Sequence, residues 1–192
     1  MRADTPEGVR VATALGRTDG VVRQADADGW AIFHVRPHAN RETPVGAALP
    51  LRTVQASPSS ATADSMHDGS IETAWTAGSS QVGDEQVTID LGEPREVGAV
   101  TLCLGQFVSG FPRNLAIETS PDGAQWTPAW QGATAAASIR AGLADPRTVP
   151  LRLEIEPVAT RFVRLRQTGS APGFPWWIAE LEVHAAAIAP DH

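Results

Sequence analysis

Two neighbouring stretches, LRLEIE at 151–156 and RFVRLRQT at 161–168, carry the alternation that decides the fold class. In the first, leucine or isoleucine at every second position alternates with arginine or glutamate. Successive side chains of a β-strand point to opposite faces, so this pattern buries one face and leaves the other in water. The second stretch repeats the pattern with one irregular step at Phe162 and Val163. Both are therefore predicted to be half-buried strands.

Similar short stretches, separated by turn signals, continue along most of the chain. SPDG at 120–123 is one such turn, with proline, aspartate and glycine at positions that tight turns favour. Short strands with almost no helical periodicity are typical of an antiparallel β-sandwich or jelly roll. The fold class is therefore predicted to be all-β. Strands are expected at 51–55, 86–91, 98–104, 114–119, 126–131, 148–156, 161–168 and 177–185.

Composition and charge exclude several classes of protein. The 192 residues include 15 basic side chains, all arginine, against 22 acidic ones, and the net charge is −7. Residues 51–192 carry all of this charge, whereas a nucleic-acid binder needs a basic face. The single cysteine has no partner for an internal disulfide. No apolar stretch approaches the ~18–20 residues that a membrane-spanning helix needs.

The first fifty residues follow a different pattern. TPE at 5–7 is a favourable helix start and Gly16 a favourable end, but apolar residues at 9, 11 and 15 also alternate as in a strand, so both interpretations stay open. VVRQ at 21–24 and WAIFHV at 30–35 predict a hairpin, and RPHANRETPVGAALP at 36–50 predicts a linker. The predicted organisation is a small N-terminal α/β appendage with a linker at 1–50, which could end a preceding domain. A β-sandwich domain follows at 51–187, and a tail at 188–192.

Four separated motifs occur in one order along the sandwich region. They are MHDGSIETAW at 66–75, VTIDLGEPREVGAVTL at 87–102, FPRNLAIETSPDGAQW at 111–126, and RFVRLRQTGS with WWIAELEVH within 161–184. Together they resemble the discoidin family, also called the coagulation factor 5/8 type C domain, over about residues 51–187. This family adopts a galactose-binding-like jelly roll, and its bacterial members include carbohydrate-binding modules. The single Cys103 departs from animal relatives, which close this domain with a disulfide.

The resemblance implies a structural calcium site in the loop that contains Asp68. Calcium prefers six to eight oxygen ligands, and a tight loop with Asp, Gly and Thr at short spacings can supply several. The residues implied by the motif are Ser65, Asp68, Ser70, Thr73, Ala179 and Glu180. The alternative is a loop held only by hydrogen bonds, with Asp68 capping backbone amides and Glu180 in a salt bridge.

Ligand recognition in such modules lies on the loops at one end of the sandwich. Sugars are bound by an aromatic platform together with a few polar groups. Phe174 and Trp176 are expected to be the exposed aromatics, whereas Trp177 and Phe111 are open to a core interpretation. The absence of tyrosine weakens the case for a specific galactose site. The candidate ligand-binding residues are His67, Phe107, Phe111, Arg113, Asn114, Phe174 and Trp176.

Core packing is the preferred interpretation for the other tryptophans and for the cysteine. Trp75 is expected beneath the calcium loop, and Trp126 and Trp130 are expected to share one buried face of a strand, four positions apart. Cys103 lies in the apolar run VTLCLG, which predicts an inert thiol. The sequence contains no GxSxG, HExxH or CxxC motif. No catalytic residue is therefore predicted.

Three functions remain open at this point. The preferred one is a noncatalytic carbohydrate-binding module with a glycan or cell-surface ligand, an accessory domain of a larger exported or membrane-bound bacterial protein. The second is a protein-interaction or cell-adhesion module without sugar specificity. The third is the extracytoplasmic C-terminal domain of a membrane glycosyltransferase-like enzyme. The expected location is extracytoplasmic if the chain is part of a longer one, with membrane contact only through an attached segment, and cytoplasmic if Met1 is the native start.

Overall fold

The computed structural model describes residues 4–16, 21–35, 46–59 and 61–187. The chain divides into two compact units, Met1–Thr43 and Pro44–His192. Most of the predicted linker and the tail at 188–192 lie outside the described residues, so the predicted bounds 1–50 and 51–187 stay predictions. Within the described ranges, no helix is both long and apolar enough to cross a membrane.

The N-terminal unit consists of one helix and one hairpin. Helix α1 (Pro6–Gly16) precedes strands β1 (Val21–Ala27) and β2 (Trp30–Val35), which pair antiparallel. The Thr5 hydroxyl accepts a hydrogen bond from the Gly8 N–H at 3.0 Å, as an N-cap residue does. This settles the open choice between helix and strand in favour of the helix. The predicted hairpin is confirmed.

The larger unit contains the remaining strands and a second helix. Its strands are β3 (Thr53–Ser57), β4 (Trp75–Gln81), β5 (Gln86–Cys103), β6 (Asn114–Ser120), β7 (Thr127–Ala133), β8 (Pro150–Gln167), β9 (Ala171–Ile178) and β10 (Glu180–Ala185). Helix α2 (Ala135–Ala144) joins β7 to β8, and short 3-10 helices cover Ala63–Met66 and Val108–Gly110.

Two antiparallel sheets enclose the core of this unit. The larger sheet has the order β10-β5-β8-β6-β7, with β3 also paired to β5, and the smaller sheet pairs β4 with β9. Trp75, Trp176 and Ile178 of the smaller sheet share one hydrophobic core with Ile89 and Leu165 of the larger sheet. The all-β antiparallel sandwich predicted from the sequence is confirmed.

The alternation in β8 has the predicted consequence. Leu151, Leu153 and Ile155 are buried, whereas Arg152 is partly exposed and Glu154 and Glu156 are exposed. On the outer face, Glu118 of β6 accepts a hydrogen bond from Arg164 Nε at 2.7 Å and one from Arg166 at 3.2 Å. Apolar packing on one face and ion pairs on the other therefore hold β8 at the centre of the sheet.

The two longest strands were each predicted as two shorter ones. The motif DLGEP in β5 has turn residues, but it interrupts the pairing with β8 only between Asp90 and Arg95. Asp90 accepts hydrogen bonds from Gly92 N–H at 2.7 Å and from Arg161 at 2.8 and 2.9 Å. The hydrogen bond from Arg161 lowers the pKa of Asp90 to about 2. The Asp90 side chain thus accepts a hydrogen bond from the backbone of the irregular segment, and β5 continues through this segment.

Helix α2, strand β4 and most of β9 were missed in the sequence, and the predicted strand at 177–185 is wrong because it breaks at Ala179 into the end of β9 and β10. Helix α2 lies in the alanine-rich stretch AAASIRAGLA, whose high helix propensity is the signal that could have revealed it. Its Ala141 packs against Leu104 and Val149 in a small second core. Strand β4 has the sequence WTAGSSQ, in which Thr76 is the single β-branched residue and the alternation of buried and exposed positions ends at Ala77. Its pairing with β9 defines it.

The three tryptophans that were predicted to lie in the core differ in how deeply they are buried. Trp75 is fully buried and its indole N–H donates to the Ser59 carbonyl at 2.6 Å, so its core assignment is confirmed. Trp130 is partly buried against the core, opposite Ile117. Trp126 instead stacks on the Arg164 guanidinium at 4.1 Å, so its predicted burial on the same face is wrong. The register shifts after Ile117, and the two-residue period does not extend across that irregularity.

Candidate functional site

The loop predicted to bind calcium is organised around the carboxylate of Asp68. Asp68 accepts hydrogen bonds from the Ser70 N–H at 2.9 Å and from the Thr73 hydroxyl at 2.7 Å. These hydrogen bonds, that of Thr73 first, lower the pKa of Asp68. Gly69 has a φ of 80°, a left-handed conformation that glycine adopts without strain. The loop is therefore closed by the polar residues that the motif singled out.

Glu180 reaches the same loop from the opposite end of the chain. It is the first residue of β10, and its Oε1 accepts a hydrogen bond from the Ser70 N–H at 2.8 Å. Burial raises the pKa of Glu180, and the neighbouring Asp68 carboxyl group raises it further. Two acidic side chains therefore lie close together, and that of Glu180 is partly buried.

Two further predicted ligand residues lie close in sequence to Asp68 and Glu180. Ser65 lies in the 3-10 helix before the loop, and the buried Ala179 immediately precedes Glu180. The described part of the chain contains no group of three or more His, Cys, Asp or Glu side chains that could hold a metal ion. A cation here would therefore depend on hydroxyl and backbone oxygens in addition to the two carboxylates.

A second group of side chains lies where the loop at 104–113 meets β9. We call it the aromatic–arginine cluster, and it consists of Phe107, Phe111, Arg113, Phe174 and Trp177. The rings of Phe107 and Trp177 stack in parallel with centroids 4.5 Å apart. The Arg113 guanidinium lies 3.9 Å from the centroid of Phe111 and 5.2 Å from that of Phe174. Rings and a cation thus form one surface from two segments distant in sequence.

Gln81 positions the loop side of this cluster. This buried residue ends β4, and its amide donates to the Phe111 carbonyl at 3.0 Å and accepts from the Arg113 N–H at 3.1 Å. Gln167 also donates to the Gln81 side chain. The Arg113 guanidinium in turn donates to the carbonyls of Phe111, at 2.9 Å, and Ser109, at 3.1 Å. Gln81 was not predicted to take part in the site, because no motif or periodicity in the sequence distinguishes a polar residue at the end of a strand.

The β9 side of the cluster is set by a kinked strand. Gly173 has a φ of 80°, and its N–H donates to the Ser80 hydroxyl at 2.9 Å. The neighbouring Phe174 keeps 45% of its surface exposed. Phe174 is therefore exposed as predicted.

The prediction that Trp176 is an exposed platform is wrong. Its side chain is 0% exposed and meets Trp75 edge to face, with ring centroids 5.4 Å apart. Trp177, which was considered a core residue, is only partly buried and carries the stack with Phe107. The alternation of β9 places Trp176 and Ile178 inside, and the break at Ala179 changes the parity before β10. The two tryptophans therefore exchange their predicted roles.

Two other predicted ligand residues stand apart from the cluster. Asn114 begins β6 and is exposed, with its carbonyl accepting from the Thr168 N–H at 2.9 Å. His67 adjoins Asp68 and lines a cavity of about 340 Å³ together with Glu180 and Glu182. His67 thus lies beside the Asp68 loop and is not part of the aromatic–arginine cluster.

Cys103 has the properties expected of an unreactive thiol. It is half-buried in β5, and burial together with the charges of Glu182, Glu180 and Asp145 raises its pKa to about 11. The nucleophilic form of cysteine is the thiolate, which this pKa suppresses at neutral pH.

The comparisons with known proteins agree with this architecture. Solved structures with a similar fold include the CBM32 of AlyQ in complex with 4,5-unsaturated mannuronic acid, with 19% identity and a TM-score of 0.57 over 73% of this chain and 99% of that one. A CBM32 from Clostridium perfringens in complex with GalNAc-β-1,3-galactose has 19% identity and a TM-score of 0.56, covering 72% of this chain and 100% of the other. A pectin-binding module has 18% identity and a TM-score of 0.52, covering 75% and 97%. Comparison with curated protein sequences finds no match.

The sequence also matches a family model directly. The model of the F5/8 type C domain matches residues 52–181, which is more than half of the chain. This range contains the Asp68 loop, the aromatic–arginine cluster and the first two residues of β10. The chain therefore belongs to the F5/8 type C domain family.

Proposed function

We propose that this protein is a noncatalytic carbohydrate-binding module whose ligand lies on the aromatic–arginine cluster. The observation that carries the proposal is the half-exposed ring of Phe174 beside the Arg113 guanidinium. A sugar presents an apolar C–H face and a rim of hydroxyl groups, so its binding needs a flat ring next to hydrogen-bond donors. Structural neighbours that carry sugars in this fold support the proposal.

The rigidity of the cluster is a further reason for this assignment. Arg113 is held by two carbonyl acceptors, and the Phe107 ring is held by Trp177. Side chains that are already ordered lose little conformational entropy when a ligand binds. The surface is therefore suited to binding without rearrangement.

Replacing Phe174 by alanine is expected to weaken glycan binding about tenfold or more, because one aromatic platform contributes on the order of 1–2 kcal/mol to binding. The measurement is calorimetric titration with a ligand first identified on a broad glycan array. Trp30→Ala is the matched control, because Trp30 is also about half exposed, at 50%, but belongs to the N-terminal unit. Equal affinity of F174A and wild type, or no binding to any glycan on the array, would contradict the proposed function.

We further propose that the module serves as an accessory domain of a larger extracytoplasmic bacterial protein. Support comes from a structure of truncated AlyQ, in which a CBM32 accompanies an alginate lyase domain. It has 20% identity and a TM-score of 0.58, covering 78% of this chain and 36% of that one. The genomic reading frame around this sequence tests the proposal, since an isolated frame without an export signal would contradict it.

We also propose that the Asp68 loop binds a structural calcium ion. The donor set fits, because the two carboxyl groups, the Thr73 hydroxyl and nearby backbone carbonyls are all oxygen ligands. Burial raises the pKa of Glu180, and a cation beside its carboxylate would offset that cost of desolvation. The carboxylates of Asp68 and Glu180 would hold the ion, with the carbonyls of Ser65, Ser70 and Ala179 completing its ligands.

Calcium at about 100 times its dissociation constant is expected to raise the melting temperature of the wild-type protein by about 5–10 °C, because binding to the folded state alone adds about 2.7 kcal/mol. Thermal melts with calcium and with a chelator measure this. Glu180→Gln should abolish the rise. Asp64→Asn is the control, because Asp64 is exposed in the same segment but outside the proposed ligand set. An unchanged wild-type melting temperature, or a rise that persists in E180Q, would refute the calcium site.

A further inference from the structure

Arg113 differs from most other arginines of the larger unit in its partners. Arg95, Arg152, Arg161, Arg164 and Arg166 each lie within 4.0 Å of a carboxylate. Among the described residues, the polar contacts of the Arg113 guanidinium are instead two backbone carbonyls. Its charge therefore has no carboxylate of the described residues within 4.0 Å.

This cation is also partly removed from water. Desolvation lowers the pKa of Arg113, and the rings of Phe111 and Phe174 flank the guanidinium. A guanidinium has five N–H donors, and the two carbonyl hydrogen bonds leave three of them available for a ligand. A partly desolvated charge with unused donors favours an anionic partner, since paired charges offset their desolvation.

The surrounding sequence is free of acidic residues although the protein as a whole is acidic. No Asp or Glu occurs between Glu96 and Glu118, or between Glu156 and Glu180, and these intervals contain every residue of the cluster. The net charge of the chain is −7, so this depletion is a local departure. These two segments therefore contribute no carboxylate to the cluster, neither to accept hydrogen bonds from sugar hydroxyl groups nor to repel a carboxylate on the ligand.

We infer that the aromatic–arginine cluster recognises a carboxylated sugar, with the uronate carboxylate on the Arg113 guanidinium and the sugar ring beside Phe174. The planar fork of N–H donors in arginine matches a carboxylate, which a neutral hexose lacks. This inference rests on the proposed carbohydrate-binding function and specifies the class of sugar.

The test compares each acidic glycan with its own neutral counterpart. Tetramers of mannuronate, galacturonate and glucuronate are titrated into the full chain, together with the same tetramers after reduction of their carboxylates to primary alcohols. At least one uronate tetramer is expected to bind tenfold or more tightly than its reduced form. Arg113→Gln should bring the ratio of the two affinities close to one.

The control variant is Arg140→Gln, which removes the same charge from an exposed position on α2. It should leave the ratio unchanged, and thermal melts establish that both variants are folded. Equal affinity for a tetramer and its reduced form, or a preference that persists in R113Q, would overturn this inference while leaving the proposed function intact. Failure of every glycan, acidic or neutral, to bind would overturn the proposed function and this inference with it.

Discussion

Replacing Trp176 by alanine is expected to lower the free energy of unfolding by about 3–5 kcal/mol, the range for removing a fully buried aromatic side chain. Trp176 is 0% exposed and lies edge to face against Trp75, the fully buried tryptophan of β4. The truncation would leave a cavity between β9 and the larger sheet. Urea denaturation followed by far-ultraviolet circular dichroism measures the loss.

Trp177→Ala is the control for this experiment, since the two tryptophans are adjacent and differ in burial. Trp177 is only partly buried, so its truncation should cost less stability than that of Trp176. It should weaken glycan binding more, because it removes the partner of Phe107. A W176A protein that is as stable as the wild type but does not bind glycan would show that Trp176 is a ligand platform after all.

The sandwich itself could be predicted because its evidence is local. In β8, Leu151 and Leu153 alternate with charged residues. This alternation predicts which face of the strand is buried without any knowledge of the other strands. Strand ends were less predictable. Asp90 and Gly92 resemble a turn, but whether the strand stops there depends on Arg161, which is distant in sequence and supplies the hydrogen bonds.

The aromatic–arginine cluster could be predicted only in part, for a physical reason. Phe174 and Arg113 were identified because aromatic and charged residues in loops are distinctive by type. Trp176 and Trp177 were exchanged because the direction of a side chain depends on register, which a break of one residue at Ala179 alters. Gln81 was missed because its role exists only through contacts with Phe111 and Arg113.

Replacing Gly110 by alanine is expected to destabilise the protein by about 1–3 kcal/mol, as overpacking does, and to reduce glycan binding strongly. A Cβ atom at Gly110 would lie 2.9 Å from both Cβ and Cγ of Trp177, closer than side chains tolerate. Because Trp177 is stacked on Phe107, the indole cannot move away without breaking that stack. Calorimetric titration and urea denaturation of the same preparation measure both effects.

Gly142→Ala tests whether this effect is specific to the cluster, because it adds the same methyl group elsewhere. Gly142 lies within α2, where a Cβ atom would meet only Val149 Cγ1 at an ordinary 3.7 Å. Alanine is the better helix former by roughly 0.5–1 kcal/mol, so G142A should be slightly more stable than the wild type and should bind glycan unchanged. If G110A behaves in the same way, the packing of Gly110 against Trp177 does not hold the binding surface in place. Opposite outcomes for the two variants would show that the close approach of the 3-10 helix at Val108–Gly110 to β9 shapes the aromatic–arginine cluster, where the glycan is proposed to bind.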